Sequence, residues 1–326
     1  MVLKPAFSKD ILIINDIEAT VNSICKKLQD DIHRVLRRKG GIIGISGGID
    51  SSVTLALTVR ALGSSHVMGI MLPEKDSSPD SLELARKLAE KFDVHYKIED
   101  ISGALEGLKC YKRRDEAVKK VFSEYNAKEY KFKIGIMPNS LNPNLPAIFY
   151  ATIIDSLGEQ KSKRLPLEEY LQIVAASNFK QRTRMAMMYY YAEKMHYAVI
   201  GTPNKHEVEQ GFFVKHGDGG ADVMPIAHLY KTQVYQIARY LEIPQEIIDR
   251  TPTTDTYSAE QTQEEFFFQL PFHQMDLLWY AFENKYSHEE VGDVMNMTVK
   301  EVKGIFNGFD RKIKTTEYLR MSPIKY

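Results

Sequence analysis

The sequence predicts an α/β protein, with a parallel twisted sheet flanked by helices and a helical extension at the carboxyl-terminal end. Three features of the chain predict this fold class. Short apolar runs that suit buried parallel strands alternate with helical stretches over residues 42–98. A further helix and apolar run follow at 182–200, and the pattern is mostly helical from about 259 onward. Strands joined through helices take right-handed crossovers, so these strands are expected to run parallel.

The first part of the chain reads as a regular succession of elements. Apolar residues recur at steps of three and four through residues 16–38, which predicts an amphipathic helix ending near two glycines. The elements predicted next are a strand at 42–45, a helix at about 50–62, a strand at 67–72, a helix at 80–92 and a strand at 94–98.

The later part continues the pattern after an interruption. The predicted elements are a helix at 182–196, a strand at 197–200, a glycine-rich loop at 211–222 and a helix at 231–241. Residues from about 108 to 172 fit the alternation poorly and contain Pro138, Pro143, Pro146 and Pro166. Because a structureless loop of that length is unusual in a compact domain, we interpret this segment as a partly helical insertion on the rim of the sheet.

The composition is that of an ordinary globular protein. The 326 residues carry 43 Lys plus Arg and 43 Asp plus Glu, which argues against a globally basic nucleic-acid binder. Two cysteines, Cys25 and Cys110, cannot form a disulfide framework. No signal peptide and no apolar run of transmembrane length is visible. We therefore expect a cytoplasmic protein that binds neither nucleic acid nor membrane.

The most informative motif lies between the first predicted strand and its helix, where open α/β sheets bind ligands. It reads Gly44-Ile45-Ser46-Gly47-Gly48-Ile49-Asp50-Ser51-Ser52. Glycines let the backbone approach a ligand, while the following helix offers free N–H groups and a positive dipole end to a phosphate. The loop has neither the lysine of a Walker A loop nor the G-x-G-x-x-G of a dinucleotide fingerprint. Asp50 beside a phosphate implies an intervening Mg²⁺, since the two anions otherwise repel.

A tight glycine turn whose serine only caps the helix is the other interpretation of this loop. The run Ser46-Gly47-Gly48-Ile49-Asp50-Ser51, however, resembles the pyrophosphate-binding loop of the ATP pyrophosphatase (PP-loop) superfamily. The resemblance implies an adenine nucleotide alpha hydrolase-like fold and ATP as a co-substrate cut between its α and β phosphates. Such enzymes transfer AMP to an oxygen atom and then displace it with a nitrogen or sulfur nucleophile.

Motifs in the second half resemble ammonia-dependent NAD synthetase, in family order and spacing. They are Arg182-Thr183-Arg184-Met185, Gly201-Thr202-Pro203-Asn204-Lys205-His206-Glu207, the run from Gly211 to Asp222, Pro225-Ile226, Leu229-Tyr230-Lys231-Thr232-Gln233 and Pro252-Thr253-Thr254-Asp255. The motifs cover 16–105 and 177–265 well, the carboxyl-terminal segment loosely and the insertion not at all. The resemblance implies an ATP pyrophosphatase-type NAD synthetase domain at 1–265, with the insertion at about 108–172. It leaves 266–326 as a helical extension packed on the same domain.

The reaction that the resemblance implies is the ATP-dependent amidation of deamido-NAD to NAD with ammonia. It passes through an NAD-adenylate intermediate and releases AMP and pyrophosphate. The alternative is a PP-loop ligase that amidates a different carboxylate through the same acyl-adenylate chemistry. Only about 40 residues precede the loop, so we expect no amidase domain and infer free ammonia or ammonia from a separate protein. The resemblance also implies a homodimer, with deamido-NAD across the interface.

The resemblance assigns roles to individual residues. Asp50 and Glu207 are the expected Mg²⁺ ligands. Arg182, Lys215 and Asp222 are the expected contacts to deamido-NAD, because basic groups suit its anionic parts and an acid suits ribose hydroxyls. The expected ATP-binding residues are Gly44, Ile45, Ser46, Gly47, Gly48, Ile49, Asp50, Ser51, Thr202, Lys231 and Thr253.

Two residues are candidates for the chemical steps. Lys231 is expected to act as a point charge on the departing pyrophosphate. Asp218 is a candidate to bind ammonium and strip its proton, although an aspartate in a glycine turn is common. The neighbouring Phe212 and Phe213 form either a wall for a pyridine ring or part of the core.

Two departures from the family and two further function classes remain. Many short bacterial members end with a His-Lys pair that touches deamido-NAD, where this chain has Tyr318 and Leu319, followed by Arg320. The insertion is the other departure.

A tRNA-modifying enzyme is disfavoured by the neutral charge and by the run from 211 to 222. The other class is a non-catalytic nucleotide-binding or DNA-binding module, because residues 287–302 have a helix-turn-helix rhythm. The second helix of this stretch carries little positive charge for phosphates, so two packed helices are the better interpretation.

Overall fold

The computed structural model describes residues 4–137, 148–253 and 256–326. The strands in these ranges are β1 (Gly41–Gly44), β2 (Val67–Met71), β3 (His95–Ile98), β4 (Lys131–Met137), β5 (Ile148–Ile154), β6 (Gln160–Arg164) and β7 (Ala198–Ile200). The helices are α1 (Ile17–Asp30), α2 (Ile49–Leu62), α3 (Pro79–Lys91), α4 (Ser102–Gly107), α5 (Cys110–Val121), α6 (Leu167–Met195), α7 (Lys205–Gln210), α8 (Lys231–Tyr240), α9 (Gln245–Asp249), α10 (Phe272–Glu283), α11 (His288–Met295) and α12 (Val299–Arg320).

Four strands form a parallel sheet in the order β3-β2-β1-β7. Gly41 of β1 is aligned with Val67 of β2 on one side and with Ala198 of β7 on the other. The predicted α/β class, with a parallel sheet flanked by helices and a helical carboxyl-terminal region, is confirmed. The four predicted strands occur within a residue or two of their expected bounds.

Helices cover both faces of this sheet because successive residues of a strand point to opposite sides. Ile43 packs into a cluster with side chains of α1, α2, α3 and α8. Its neighbour Ile42 packs on the other face with side chains of α4, α5 and α6. Both isoleucines are fully buried, so the sheet is the middle layer of a three-layer core.

The segment predicted as a partly helical insertion contains a second, antiparallel sheet in the order β4-β5-β6. Its apolar face carries Phe132, Ile134, Ala151 and Ile153 and is buried against α5, α6 and Tyr257. The helical part of the prediction corresponds to α5, but the prediction missed the sheet. Pro138, Pro143 and Pro146 lie outside the described residues.

Two predicted helix bounds are wrong. The helix predicted to start at 182 begins at Leu167, directly after Pro166, with Glu168 and Glu169 in its first turn. Proline and acidic residues are typical of a helix start, and this signal lay inside the segment assigned to the insertion. The helix predicted at 16–38 is regular only to Asp30 and continues as a π-helical turn over Asp31–Val35.

The last three helices pack together at the carboxyl-terminal end. Trp279 of α10 and Val302 of α12 are buried in one cluster, which also includes Tyr230 from the residue before α8 and Phe7 from the amino-terminal segment. The sequence with a helix-turn-helix rhythm forms α11 and the first turn of α12, two packed helices as predicted.

None of the helices in the described ranges combines the length and the apolar character needed to cross a membrane.

Candidate active site

The order of strands places two loops side by side. From β1 the chain runs outward through β2 and β3 on one side, whereas β7 lies on the other side of β1. Ligands of open α/β sheets bind at the carboxyl ends of the strands where the order reverses in this way. The loop after β1 leads into α2, which carries Asp50, and the loop after β7 leads into α7, which carries Glu207.

The glycine-rich loop has a defined conformation. Gly47 has a φ of 74°, and a Cβ atom there would lie 2.5 Å from the Ser81 carbonyl oxygen, so only glycine fits. The Gly48 N–H donates to Ser46 Oγ at 3.3 Å, and Ser46 Oγ lies 3.0 Å from Ser51 Oγ. The hydroxyls of Ser46 and Ser51, two of the expected ATP-binding residues, therefore face each other across the loop, at the amino-terminal end of α2.

Asp50 connects the loop to two other elements. Its carboxylate forms an ion pair with Lys231, which is fully buried, and accepts a hydrogen bond from Asn204 Nδ2 at 3.3 Å. Asn204 caps α7 and accepts from the Glu207 N–H at 3.2 Å, while Glu207 Oε2 accepts from the Asn204 N–H at 2.9 Å. The structure thus brings the two predicted metal ligands together with the predicted catalytic lysine.

The electrostatics of this group favour an added cation. Burial and the nearby charge of Asp50 raise the pKa of Glu207 to about 8, against the opposing effect of Lys231. Burial works against the charge of Lys231, but the two carboxylates raise the pKa of that lysine above its usual value. A cation bound between the two carboxyl groups would favour the ionised form of Glu207, and their oxygens are hard donors of the kind that Mg²⁺ prefers.

The donor set is small. No group of three or more His, Cys, Asp or Glu side chains in the described ranges is arranged to hold a metal ion. A Mg²⁺ ion held by Asp50 and Glu207 would take its other ligands from phosphate oxygens and water, as Mg²⁺ usually does at nucleotide sites. The residues present therefore fit the predicted ion.

A single cleft of about 550 Å³ contains most of the predicted ATP site. Gly44, Ile45, Ser46, Gly48, Ile49, Asp50, Ser51, Thr202, Glu207, Asp218 and Thr253 all line it. Lys231 lies behind Asp50 and contacts the ring of Phe272 with its ammonium group 5.2 Å from the ring centroid. The Thr254 and Asp255 positions of the predicted motif lie outside the described residues.

Asp218 is half-buried where the glycine-rich segment after α7 faces the cleft. Its carboxylate accepts a hydrogen bond from the Val214 N–H at 2.8 Å. Burial raises the pKa of Asp218 to about 6, partly offset by backbone donors and by Arg184. A carboxyl group with this pKa is well matched to exchanging protons near neutral pH.

The three predicted contacts to deamido-NAD lie outside the residues that line this cleft. Arg182 Nε donates to the Lys215 carbonyl oxygen at 3.2 Å, and Lys215 Nζ donates to the carbonyl oxygens of Tyr318 and Met321 at 2.8 Å each. Asp222 accepts hydrogen bonds from the Val199 N–H at 2.8 Å and from the Tyr189 hydroxyl at 3.0 Å. Arg182 therefore contacts the backbone of Lys215, whereas Asp222 is bound to the middle of β7 and to Tyr189 of α6.

The segment around Phe212 and the carboxyl-terminal helix meet near the cleft. Phe212 and Phe213 both line it, and Phe212 stacks on Phe267 with ring centroids 4.7 Å apart. Arg320, one candidate to replace the His-Lys pair, donates to the carbonyl oxygens of Val208 and Ile313. The aromatic side chains are thus partly packed and partly available to a ligand.

Sequence reasoning missed a buried polar network behind Glu207 and Lys231. His206 Nε2 lies 2.5 Å from Asp276 Oδ1, and Asp276 Oδ2 accepts from the Thr232 N–H at 2.7 Å. Both His206 and Asp276 are fully buried. The pair connects α7 and α10 to the first turn of α8. The spacing of these residues in the sequence does not predict this contact.

A second network lies at the other side of the cleft. Lys180 Nζ donates to Glu74 at 3.0 Å, to Asp76 at 2.7 Å and to the Thr256 carbonyl oxygen at 3.0 Å. Asp76 is also paired with Arg114 of α5. This network attaches the loop after β2 to α5 and α6, and its lysine was not predicted.

The parallel sheet and the loop at its reversal point are typical of nucleotide-binding α/β proteins. The NAD synthase family profile matches residues 20–133 and 149–323. The NH(3)-dependent NAD(+) synthetase of Rhizobium meliloti strain 1021 is 46% identical over 317 residues, which cover 97% of this chain and 94% of that protein. The chain therefore belongs to the NAD synthase family, and the resemblance drawn from its motifs is confirmed.

Solved structures show the same fold. The NH3-dependent NAD synthetase of Campylobacter jejuni has a TM-score of 0.62 at 20% identity, covering 95% of this chain and 99% of that one. The NMN synthetase of Francisella tularensis has a TM-score of 0.60 at 20% identity, covering 96% and 99%. The family match also runs through most of residues 108–172 and leaves out only 134–148 of that segment, so the motif comparison placed too much of it outside the family.

Proposed function

We propose that this protein catalyses the ATP-dependent amidation of deamido-NAD to NAD with ammonia and releases AMP and pyrophosphate. The observation that carries the proposal is the convergence of the glycine-rich loop, Asp50, Glu207 and Lys231 at the strand-order reversal. Membership in a family whose 46% identical relative is an NH(3)-dependent NAD(+) synthetase supports it.

The loop binds the phosphates of ATP. The first turn of α2 offers N–H groups without partners inside the helix, and its dipole favours an anion. Ser46 and Ser51 turn their hydroxyls from each other to phosphate oxygens. Asp50 and Glu207 would hold a Mg²⁺ ion, which neutralises phosphate charge when bound.

Lys231 acts on the leaving group. A carboxylate is a poor acyl donor, so the nicotinate carboxylate first attacks the α-phosphorus and the bond to pyrophosphate breaks. The ammonium group of Lys231 is held at the site by its ion pair with Asp50. Once ATP is bound it stabilises the negative charge that develops on pyrophosphate.

Asp218 acts in the second step. Ammonia must be neutral to attack the carbonyl carbon of the adenylate, and AMP then leaves with its electron pair. The Asp218 carboxylate lines the same cleft as the loop and accepts the proton that ammonium gives up. Arg182, Lys215 and Asp222 contact the part of the dinucleotide that extends outside this cleft.

The experiment is an end-point assay with ATP, Mg²⁺, ammonium and deamido-NAD, in which NAD and AMP are quantified together. We expect equal amounts of both, and neither product when deamido-NAD is omitted. AMP without NAD would contradict ammonia as the nucleophile. Absence of both products would contradict deamido-NAD as the acceptor and favour another carboxylate with the same chemistry.

A further inference from the structure

The antiparallel sheet β4-β5-β6 contributes directly to the cleft that contains the glycine-rich loop. Ile134 and Ile136 of β4 and Phe149 of β5 line that cleft. Ile136 and Phe149 are opposite each other in the strand register, so their side chains share one face of the sheet. Both are half-buried.

Helix α6 extends this apolar surface. Tyr170 and Val174 line the cleft beside the strands, and the Tyr170 ring stacks on Phe149 with centroids 3.9 Å apart and planes at 22°. Together Ile134, Ile136, Phe149, Tyr170 and Val174 form what we call the apolar wall. Its half-buried aromatic rings suit a flat aromatic ligand.

The apolar wall and the glycine-rich loop lie near opposite ends of α6, so the length of this helix gives their separation. Cleft-lining residues recur along this helix every three or four positions, from Tyr170 at the wall to Met188, whose sulfur would lie 3.6 Å from a Cβ atom at Gly44. At 1.5 Å per residue the 18 residues between Tyr170 and Met188 span about 27 Å. An extended nucleoside triphosphate is roughly 15–18 Å long by bond counting, so ATP held at the loop does not span the distance from Met188 to Tyr170.

We propose that the apolar wall binds an aromatic ring of the dinucleotide substrate, so that the antiparallel sheet is a specificity element of the active site. This inference rests on the proposed function. Its occupant follows from length, because a dinucleotide whose carboxylate reacts beside ATP extends further along the cleft than ATP does. The part of the chain interpreted as a rim insertion thereby gains a role in recognising the substrate that is amidated.

The test compares two neighbours on β5. Phe149→Ala removes a ring from the wall, whereas Tyr150→Ala removes one from the opposite face of the same strand, which does not line the cleft. We expect Phe149→Ala to raise the KM for deamido-NAD about tenfold and to leave the KM for ATP within twofold. Tyr150→Ala is expected to leave both KM values within twofold.

A second variant distinguishes a lost ligand contact from a disturbed local structure in Phe149→Ala. Ile136→Trp adds bulk to the wall without removing the Phe149–Tyr170 stack and is expected to raise the same KM, for deamido-NAD alone. Unchanged KM values in both wall variants would overturn the inference, as would a rise in the KM for ATP instead. Wild-type enzyme that makes no NAD would contradict the proposed function itself, a result separate from either.

Discussion

Asp50 is the residue on which the proposed chemistry depends most, because its carboxylate meets both Lys231 and the amide of Asn204. Replacing it with asparagine keeps the shape but removes the charge that faces the buried ammonium group and the expected metal ion. We expect Asp50→Asn to lower turnover by at least about 100-fold while the circular dichroism spectrum is retained. Asp80→Asn changes an exposed residue in the first turn of α3 and serves as the control. Near-normal turnover in Asp50→Asn would remove Asp50 from the set of metal ligands.

Asp218 predicts a pH dependence of the rate. Because burial raises its pKa to about 6, the carboxylate needed to accept a proton from ammonium forms as the pH rises through that value. We expect kcat, measured at a constant concentration of free ammonia, to rise between about pH 5 and pH 7, and Asp218→Asn to lose that rise together with most activity. A profile that is the same in Asp218→Asn would show that another group is responsible.

The raised pKa of Asp218 also determines the direction in which the stability of the fold changes with pH. The folded state holds the Asp218 proton more tightly than the unfolded chain, so its contribution to stability is present at low pH and is lost as the pH rises towards 6. At pH 7 the buried charge is unfavourable by on the order of 2–3 kcal/mol. Urea denaturation at pH 7 should therefore show Asp218→Asn to be more stable than wild type, with the exposed Asp293→Asn unchanged.

At the scale of elements, the two ends of α2 carry glycines in the left-handed region. Gly47, in the loop before the helix, has a Cβ position 2.5 Å from the Ser81 carbonyl oxygen, whereas Gly63 after the helix has open space around it. Both substitutions to alanine strain the backbone by about 1 kcal/mol, but only Gly47→Ala also displaces the loop. We expect Gly47→Ala to lose ATP binding by calorimetry and Gly63→Ala to keep it. Equal affinities in the two variants would mean that the loop does not hold the phosphates.

The elements of the parallel sheet were predictable because each strand is a short apolar run between helical stretches. The antiparallel sheet was missed even though Lys131, Phe132, Lys133 and Ile134 alternate polar and apolar side chains, the pattern of a half-buried strand. This stretch was interpreted instead as part of a partly helical insertion. The pairing of β4 with β5 depends on contacts between two separate segments of the chain, and the periodicity of either segment does not reveal them.

The candidate site was predicted unevenly for a similar reason. Motifs at the ends of β1 and β7 identified Asp50 and Glu207, which the structure brings together. The pair of His206 with Asp276 and the separate network around Lys180 were not predicted, because their partners come from elements distant in sequence. Burial decides which of these polar side chains meet, and burial is a property of the folded chain.

At the scale of the whole molecule, the expected homodimer stays a prediction. Arg182, Lys215 and Asp222 lie outside the cleft lining, and Arg182 and Asp222 are exposed. Helix α6 also exposes Leu167 and Leu171, at 70% and 54% of their surface. Sedimentation equilibrium should give twice the 37.4 kDa mass of one chain. A monomer that is fully active would show that one chain supplies the whole substrate site.

The ion pair between Asp50 and Lys231 joins residues 181 positions apart in the sequence. Helices can form from local contacts soon after folding begins, but this pair requires α2 and α8 to pack together across a long intervening stretch of chain. Closing such a loop is entropically unfavourable until the surrounding core has assembled. Recovery of enzymatic activity after dilution from denaturant would therefore lag behind recovery of helical signal, and would report the last stage of folding.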